Sequence, residues 1–412
     1  PDAPARSSNL PWYSRREGIY AAVVDGALAP QKTTKWFFNC SNLTDISGLA
    51  GLDMSKATDL NSMFSGCGKL EDISAVEGWN TSAVTKMGSA FRGCASLRDV
   101  TPLAGWDLRS IASGHMYRDS INCLFQNCDA LTDIRALANW DTSGITHFYG
   151  VFSGCKSLVD ITPLSNWNTS SALDFLEMFK NCVSLQSIES LKDWNVSKAT
   201  NFTSMFCGCA SLASLNGLSL WNTACAQSFG EMFSECVGLN DLSAIATWQT
   251  DAATDFHAMF QGCISVEDYQ SLSNWNMAKA NNLTSMFQGC TLLRNTHFAS
   301  QWNVKAVQKF ANMFADCVSL SDISGLASWN LNGAQNLSSM FYNCPALRDL
   351  APISGWNTKN VLDLSSLFYG CSSITDVSCL SGWNTAKVTN MQRIFDNCAA
   401  LEYVDLSTWS FA

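Results

Sequence analysis

The sequence has few charged residues and few prolines, and these shortages exclude several classes of protein. Only 15% of its 412 residues are charged, against about 25% in an ordinary globular domain. The 8 prolines and the lack of like-charge runs predict no long linker or acidic tail. No apolar run is long enough for a transmembrane helix. The formal charge of −10 argues against binding nucleic acid or an anionic membrane.

A strict internal repeat dominates the sequence. The motif Phe-x-x-Cys recurs, and twelve of its thirteen spacings are 27 residues, the exception being 34. Trp residues keep the same register from Trp79 to Trp383, and the last, Trp409, comes one residue early. A short repeat cannot bury its apolar face alone, so the repeats should stack into a solenoid. The cysteines that end the motif are Cys40, Cys67, Cys94, Cys128, Cys155, Cys182, Cys209, Cys236, Cys263, Cys290, Cys317, Cys344, Cys371 and Cys398.

The apolar spacing within a repeat predicts one helix and one strand. Between Trp383 and Cys398, apolar residues recur every three or four positions, which predicts a short helix over 388–398 with one buried face. The stretch 320–326, Leu-x-Asp-Ile-Ser-x-Leu, is bounded by turn formers and predicts a strand. The fold class is therefore α/β: a leucine-rich-repeat-like right-handed solenoid of about 14 turns, with a parallel sheet on one face and short helices on the other.

The segments 91–97 and 383–391 carry a family resemblance. Phe-x-x-Cys-x-x-Leu, followed in a repeat by Trp-Asn-Thr-x-x-Val-Thr-x-Met, resembles the BspA-like leucine-rich-repeat surface proteins of bacteria and the related mycoplasma short-repeat family. The stretch from Pro11 to Cys40 resembles the segment that caps such arrays. The resemblance implies a secreted or wall-associated protein whose repeats bind host or bacterial proteins. It brings no catalytic residues.

The chain is predicted to contain two parts. Residues 1–35 form an N-terminal capping segment, in which 19–24 is expected to be a strand covering the first repeat. Residues 36–412 form the solenoid, with a seven-residue insertion near 107–118. We expect the array to be truncated at its C-terminus, because no cap is evident after Trp409.

Neither cysteine nor histidine forms a convincing catalytic or metal site in the sequence. The fourteen repeat cysteines include no Cys-x-x-Cys pair, so they are predicted to be buried thiols in a structural column. Disulfides within the column are disfavoured because each thiol has two equivalent neighbours. The four irregular cysteines are better candidates for a bridge or a reactive site: Cys123, Cys207, Cys225 and Cys379. The four histidines lie in different repeats. We therefore predict no enzyme activity, cofactor or metal.

Two polar columns accompany the apolar ones. Asn usually follows the Trp, as at Asn80. We expect these amides to stack from turn to turn, where each can donate and accept hydrogen bonds and so satisfy backbone groups between strand and helix. The second column is acidic, and each carboxylate is expected to accept hydrogen bonds from nearby backbone N–H groups. The alternative is an edge that binds Ca²⁺. The acidic residues are Asp45, Asp72, Asp99, Asp133, Asp160, Asp241, Asp268, Asp322, Asp349 and Asp376.

Partner specificity is expected at the position two residues after this acidic column. Strand alternation would place that position on the same outward face, and its side chains vary most in the middle of the array. The candidate ligand contacts are Arg135, Glu189, Asn216, Gln270 and His297. The insertion supplies further candidates, Arg109, His115, Tyr117 and Arg118, because arginine and tyrosine often anchor interfaces.

The family resemblance implies a non-catalytic scaffold, at the cell surface or secreted, that recognises protein partners in adhesion, coaggregation or host-matrix binding. The partners would be host matrix or bacterial surface proteins, with no nucleic acid and no membrane insertion. The alternative is a passive spacer or stalk within a larger surface protein. Variation along the outward column favours the scaffold, whereas the regularity elsewhere suits the spacer.

Overall fold

A computed structural model describes residues 10–111 and 120–410 of the chain. The chain divides into two compact units, Pro1–Asn201 with Gly208–Leu212 and Phe202–Cys207 with Ala213–Ala412. Within each unit, the backbone winds in stacked turns, so that residues about 27 positions apart pair in parallel. The fold class is thus confirmed as a leucine-rich-repeat-like solenoid with parallel pairing and short helices.

The regular elements of the described residues are short. Strands β1 (Ala21–Val23) and β2 (Asp45–Gly48) pair in parallel in the first unit, and elsewhere the pairing consists of isolated parallel bridges. The helices are all of the 3₁₀ type: Tyr13–Gly18, Met54–Lys56, Ser74–Val76, Thr101–Leu103, Arg135–Asn139, Thr162–Asn166, Glu189–Leu191, Asn216–Leu218, Ser243–Ile245, Gln270–Leu272, His297–Ala299, Ser324–Leu326, Ala351–Ile353 and Ser378–Gly382.

The helix predicted over 388–398 is absent, and this prediction is wrong. The segment consists of consecutive turns and pairs with the preceding turn, for example through the N–H of Leu364, which donates to the Asn390 carbonyl at 2.8 Å. Arg393 and Asn397 have φ of 59° and 61°, in the left-handed region that an α-helix excludes. Consecutive three-residue turns return side chains to the interior every three or four positions, so they mimic the helical pattern.

The strand predicted over 320–326 is also mostly absent. Asp322 forms a single parallel bridge with Asn295, and the 3₁₀-helix Ser324–Leu326 follows at once. The Asp322 carboxylate accepts a hydrogen bond from the Ser324 N–H at 2.8 Å. This local bond bends the backbone into a turn and ends the extended conformation after the bridging residue.

Residues 10–35 contain the expected strand. β1 lies within the predicted range 19–24 and pairs with β2, the acidic-column strand of the first repeat. The Trp12 indole donates a hydrogen bond to the Trp36 carbonyl at 2.6 Å, and its ring stacks on Phe37 at 6.5 Å. These contacts join the segment to the first repeat, while the domain boundary after residue 35 stays a prediction.

Columns of Phe, Trp and Cys fill the interior, as predicted. In the second unit, Phe341 is fully buried and stacks between Phe314 and Phe368, with ring centroids 5.8 and 5.7 Å away. Cys344 donates its thiol hydrogen to the Phe314 carbonyl at 3.1 Å, and the buried Trp indoles make similar bonds to carbonyls of the preceding turn. Each buried Phe should contribute about 1.5–3 kcal/mol to stability.

The predicted column of amides satisfies backbone groups as expected, but it does so mainly within each turn. Asn276 and Asn357 also donate from Nδ2 to the preceding turn, to Asp251 and Asn332. Asn384 is exposed, and its side-chain oxygen accepts a hydrogen bond from the Ala386 N–H at 3.1 Å, within its own turn. A hydrogen bond to the next turn comes from the buried threonine that follows the Asn position in many repeats. Thr358 Oγ1 donates to the Asn384 carbonyl at 3.0 Å, and Thr250 Oγ1 makes the same bond to the next turn at 3.1 Å. An Asn side chain reaches its own backbone more readily than the next turn.

Candidate functional site

All five outward-column candidates are exposed and begin a 3₁₀-helix. In the first unit, Arg135 begins Arg135–Asn139 and Glu189 begins Glu189–Leu191. In the second unit, the helices Asn216–Leu218, Gln270–Leu272 and His297–Ala299 start at the other three candidates. Each side chain therefore occupies the same place in its turn.

The acidic column fixes the backbone at these positions. The N–H of Arg135 donates to the Asp133 carboxylate at 3.0 Å, and the N–H of Gln270 donates to that of Asp268 at 2.8 Å. The N–H of His297 donates instead to the side-chain oxygen of an Asn two residues earlier. The N–H groups of Glu189 and Asn216 donate to Ser hydroxyls in the same position. The prediction that this column bonds local backbone N–H groups is confirmed. Because the bond uses only the backbone of the second residue, that residue's side chain is free to vary.

Local hydrogen bonds also stabilise the ionised form of these carboxylates. Bonds from the hydroxyl and the N–H of Ser47 lower the pKa of Asp45, and bonds from the N–H and the hydroxyl of Ser378 lower the pKa of Asp376. The carboxylates can therefore stay charged at neutral pH on these bonds alone. Within the described ranges, no group of three or more His, Cys, Asp or Glu side chains is arranged to hold a metal ion.

Two of the five candidates bind the acidic column with their own side chains. The Arg135 guanidinium donates to both carboxylate oxygens of Asp133, with Nε at 3.0 and 2.9 Å. His297 Nε2 lies 2.9 Å from a carboxylate oxygen of Asp322, on the next turn. A partner that engages Arg135 or His297 would have to share or displace these contacts.

A shallow groove adjoins Glu189 in the first unit. Its volume is about 400 Å³, and its walls include Val159, Asp160, Gln186, Glu189 and Lys192. Val159 is 45% exposed and supplies an apolar patch among the polar residues. The groove thus combines both charge signs with a small apolar surface.

The insertion is only partly described. Arg109 is exposed and makes a two-pronged contact with the Asp107 carboxylate, through Nε at 3.0 Å and Nη2 at 2.6 Å. His115, Tyr117 and Arg118 lie outside the described residues.

The repeat cysteines are buried, and their thiols have low reactivity. Burial raises the pKa of the Cys182 thiol to about 12. Burial also raises the pKa of Cys40 to about 11, although Arg16 lowers it. Since the thiolate is the reactive species, these thiols are poor nucleophiles at neutral pH. Of the irregular cysteines, Cys123 is also buried, while Cys225 is exposed.

Sequence reasoning missed a charged cluster centred on His257 in the second unit. The imidazole lies between two carboxylates, with Nδ1 2.8 Å from Asp255 and Nε2 3.4 Å from Glu231. The sequence signal was the position of His257, 26 residues after Glu231 and therefore on the next turn. The buried threonines were missed because the adjacent Asn is the more regular residue.

Comparison with known proteins identifies bacterial leucine-rich-repeat proteins as similar structures. One from Bacteroides ovatus is 17% identical, with 84% of this chain and 88% of that chain covered and a TM-score of 0.36. One from Eubacterium ventriosum is 13% identical, with coverages of 98% and 89% and a TM-score of 0.37. A leucine rich cell surface protein from Faecalibacterium prausnitzii is 14% identical, with coverages of 94% and 79% and a TM-score of 0.32. No curated protein matches the sequence.

No enzymatic family is indicated by these comparisons. Within the part of the chain that the structure describes, no helix has the length and apolar character needed to cross a membrane. A family of mycoplasma proteins matches the sequence over residues 31–123, 119–242, 214–325, 263–376 and 319–412. These ranges overlap and cover the whole repeat array, which confirms the resemblance seen in the motifs. The chain belongs to the family described as "Mycoplasma protein of unknown function, DUF285".

Proposed function

We propose that the chain is a non-catalytic scaffold, at the cell surface or secreted, that binds protein partners through its outward column. The proposal rests on one observation. The backbone N–H of each of these variable residues donates a hydrogen bond to the side chain two residues earlier. The Asp, Asn or Ser two residues earlier fixes the backbone whatever the outward side chain is. A fixed backbone with variable, exposed side chains is a suitable recognition surface, because little conformational entropy is lost on binding.

Each unit offers its own set of contacts. In the first unit, Arg135 supplies a cation that a partner would share with Asp133, and Glu189 lies in the groove with Val159 and Lys192. In the second unit, the exposed side chains of Asn216 and Gln270 offer amide donors and acceptors. This combination suits the polar rim and small apolar patches of a protein surface. Arg109, with the rest of the insertion, is a further proposed contact.

The partners are proposed to be host matrix proteins or surface proteins of other bacteria, bound in adhesion or coaggregation. One similar structure is that of a cell surface protein, which supports an extracellular location for this chain. The negative net charge of −10 favours partners with basic surfaces.

A passive spacer or stalk is the second candidate function. It is favoured by the regular interior, where Phe and Trp rings of the same unit stack turn after turn at similar distances. A spacer would need this regularity and would need no outward recognition residues.

Surface plasmon resonance with purified host matrix and bacterial surface proteins tests the proposal. The outward residues are replaced by Ser, a residue that this column already holds at Ser243 and Ser324 with the backbone bond intact. One variant changes Arg135 and Glu189, and a second changes Asn216 and Gln270. We expect the Kd for a partner to rise about tenfold or more in the variant whose residues that partner contacts. A tenfold rise corresponds to about 1.4 kcal/mol of binding free energy.

The matched control replaces Lys305 and Lys359 by Ala. Both are exposed, and the N–H of each donates to the side chain of an Asn two residues earlier. Ala278 occupies the equivalent position of another repeat with the same bond, so this position accepts Ala. The control variant should bind as the unaltered chain does. Equal binding by all variants would exclude the outward column as the binding surface. If the unaltered chain binds no protein of the panel, the result would favour the spacer.

A further inference from the structure

An open polar groove, the amide groove, crosses four consecutive turns of the second unit and has a volume of about 370 Å³. Four of the side chains in its described lining are amides, one is aliphatic, one is a lysine, and none is a carboxylate. They belong to Gln308, Asn332, Gln335, Asn360, Leu362 and Lys387. The groove therefore offers many hydrogen-bond donors and acceptors and one positive charge, on a chain whose formal charge is −10.

Hydrogen bonds hold one wall of the amide groove in place. Asn360 Nδ2 donates to the Asn332 carbonyl on the preceding turn at 2.9 Å, and Lys387 Nζ donates to Asn360 Oδ1 at 2.9 Å. Asn357 Nδ2 donates to Asn332 Oδ1 at 2.7 Å. These bonds join three turns and fix the wall independently of a ligand. A wall that is already ordered loses little conformational entropy on binding.

The stacking of the turns does not require these side chains. Two turns before Asn360, the same position holds Ala306, and the N–H of Gln308 still pairs with the preceding turn there. One turn before Asn360, it holds Gly333, which lines the groove without a side chain and where an added Cβ would lie 2.7 Å from the Lys305 carbonyl. The repeat thus departs from its usual residues at the groove, and local departures that packing does not demand indicate function.

Gln308 and Gln335 present two amides on adjacent turns, which lie about 5 Å apart. Both residues are exposed. Their backbone carbonyls join the turns, accepting from the N–H groups of Gln335 at 3.0 Å and Leu362 at 2.8 Å. Neither side-chain amide has a hydrogen-bond partner among the described residues. Each amide places a donor beside an acceptor, which matches two neighbouring hydroxyl groups of a ligand.

Leu362 and Lys387 add an apolar contact and a charge. The Leu362 side chain is 43% exposed, so it offers apolar surface that a sugar ring can cover with its C–H face. The Lys387 ammonium has three N–H donors and uses one of them on Asn360. Its remaining donors suit an anion, and a charged hydrogen bond to a carboxylate is about twice as strong as a neutral one.

We propose that the amide groove binds a saccharide chain that carries carboxylate groups. Gln308 and Gln335 pair with sugar hydroxyls, Leu362 covers the C–H face of a ring, and Lys387 binds a carboxylate. A peptide fits less well, because Leu362 is the only apolar side chain in the described lining and no pocket receives an apolar peptide side chain. The inference does not depend on protein binding by the outward column, whose candidates do not line this groove.

Isothermal titration calorimetry of the full chain with two tetrasaccharides tests the proposal. The acidic one alternates glucuronate with N-acetylglucosamine, and the neutral one contains N-acetylglucosamine alone. The acidic tetrasaccharide should bind with a Kd about two- to fivefold below that of the neutral one, the range of an exposed ion pair. Gln308→Thr combined with Gln335→Thr should raise the Kd for the acidic tetrasaccharide about tenfold, because hydrogen bonds from two amides are lost. Lys387→Gln should remove the preference for the acidic tetrasaccharide.

Gln227→Thr is the matched control. Gln227 is exposed and lies in the same unit, a multiple of 27 residues before Gln308, but it does not line the groove. Thr254 and Thr389 occur naturally at this position of the repeat, so the substitution suits the turn. The control should bind as the unaltered chain does.

Failure of the unaltered chain to bind the acidic tetrasaccharide at about 10 mM would overturn the proposal. An unchanged Kd in the Gln308 and Gln335 variant, or equal Kd values of the unaltered chain for the two tetrasaccharides, would also overturn it. A neutral Gly-Ser peptide that binds as tightly as the acidic tetrasaccharide would identify a peptide site instead. The comparison of the two tetrasaccharides needs no variant, so a folding defect cannot hide the answer.

Discussion

Replacement of Phe341 by Ala should destabilise the second unit strongly. The Phe341 side chain has no exposed surface, and its ring stacks on those of Phe314, Phe368 and Trp356, with centroids 5.8, 5.7 and 6.4 Å away. Removal of a buried Phe side chain costs about 3–5 kcal/mol. Neighbours on both sides prevent the cavity from collapsing easily, so we expect a loss of about 4 kcal/mol.

Phe395→Ala is the matched control in the same column. Phe395 is only partly buried, and its ring stacks on Phe368 at 5.7 Å. Its replacement should lower the free energy of unfolding by about 1–2 kcal/mol, because Phe395 buries less apolar surface on folding than Phe341 does. Urea denaturation followed by Trp fluorescence measures both losses. An equal loss of stability in Phe395→Ala and Phe341→Ala would contradict a difference in burial, and so would a loss below about 1 kcal/mol in Phe341→Ala.

Acid and thiol chemistry supply three further predictions. Hydrogen bonds lower the pKa of Asp45 and Asp376 in the folded chain, so both carboxylates stabilise the fold above about pH 3.9. This stabilisation is lost as pH falls through their pKa values in the folded chain. Circular dichroism melts should therefore show no loss of Tm from about pH 7 to pH 5 and a decrease below about pH 4; a decrease already by pH 5 would contradict this. In the folded chain, an alkylating agent at neutral pH should label the exposed Cys225 well before the buried Cys182, whose pKa is raised to about 12; equal labelling rates would refute the buried column. Titration of the unfolded chain without reductant should find most of the 18 thiols free, and fewer than about six would count against a thiol column.

The turns and their buried columns could be predicted from the sequence because a strict repeat places the same residue in the same surroundings each time. Phe341 must meet Phe314 and Phe368 if every turn is 27 residues long. The prediction of the columns needed the spacing and no knowledge of the local backbone. The exposure of the outward column was predicted from strand alternation, and the column is exposed although a 3₁₀-helix, such as Gln270–Leu272, stands where the strand was expected.

The local backbone could not be predicted, since two conformations share one apolar pattern. A helix and a series of three-residue turns both bring apolar side chains inward every three or four residues. Left-handed residues such as Arg393 and Asn397 distinguish them, but neither residue type demands that conformation. Likewise, Thr358 bonds the next turn, whereas its neighbour Asn357 bonds its own turn and the preceding one, and only the direction of each side chain decides this.

The winding of 27 residues per turn is most directly tested by disulfide formation between engineered cysteines in a chain whose Cys225 is replaced by Ser. Ser243 and Gln270 begin helices on adjacent turns, and His297 begins the helix one turn further. A Ser243→Cys and Gln270→Cys pair should lie about 5 Å apart, within disulfide range, whereas Ser243→Cys and His297→Cys should lie about 10 Å apart. Mild oxidation should bridge the first pair rapidly and should not bridge the second. Bridging of the second pair as readily as the first, or of neither, would contradict this winding.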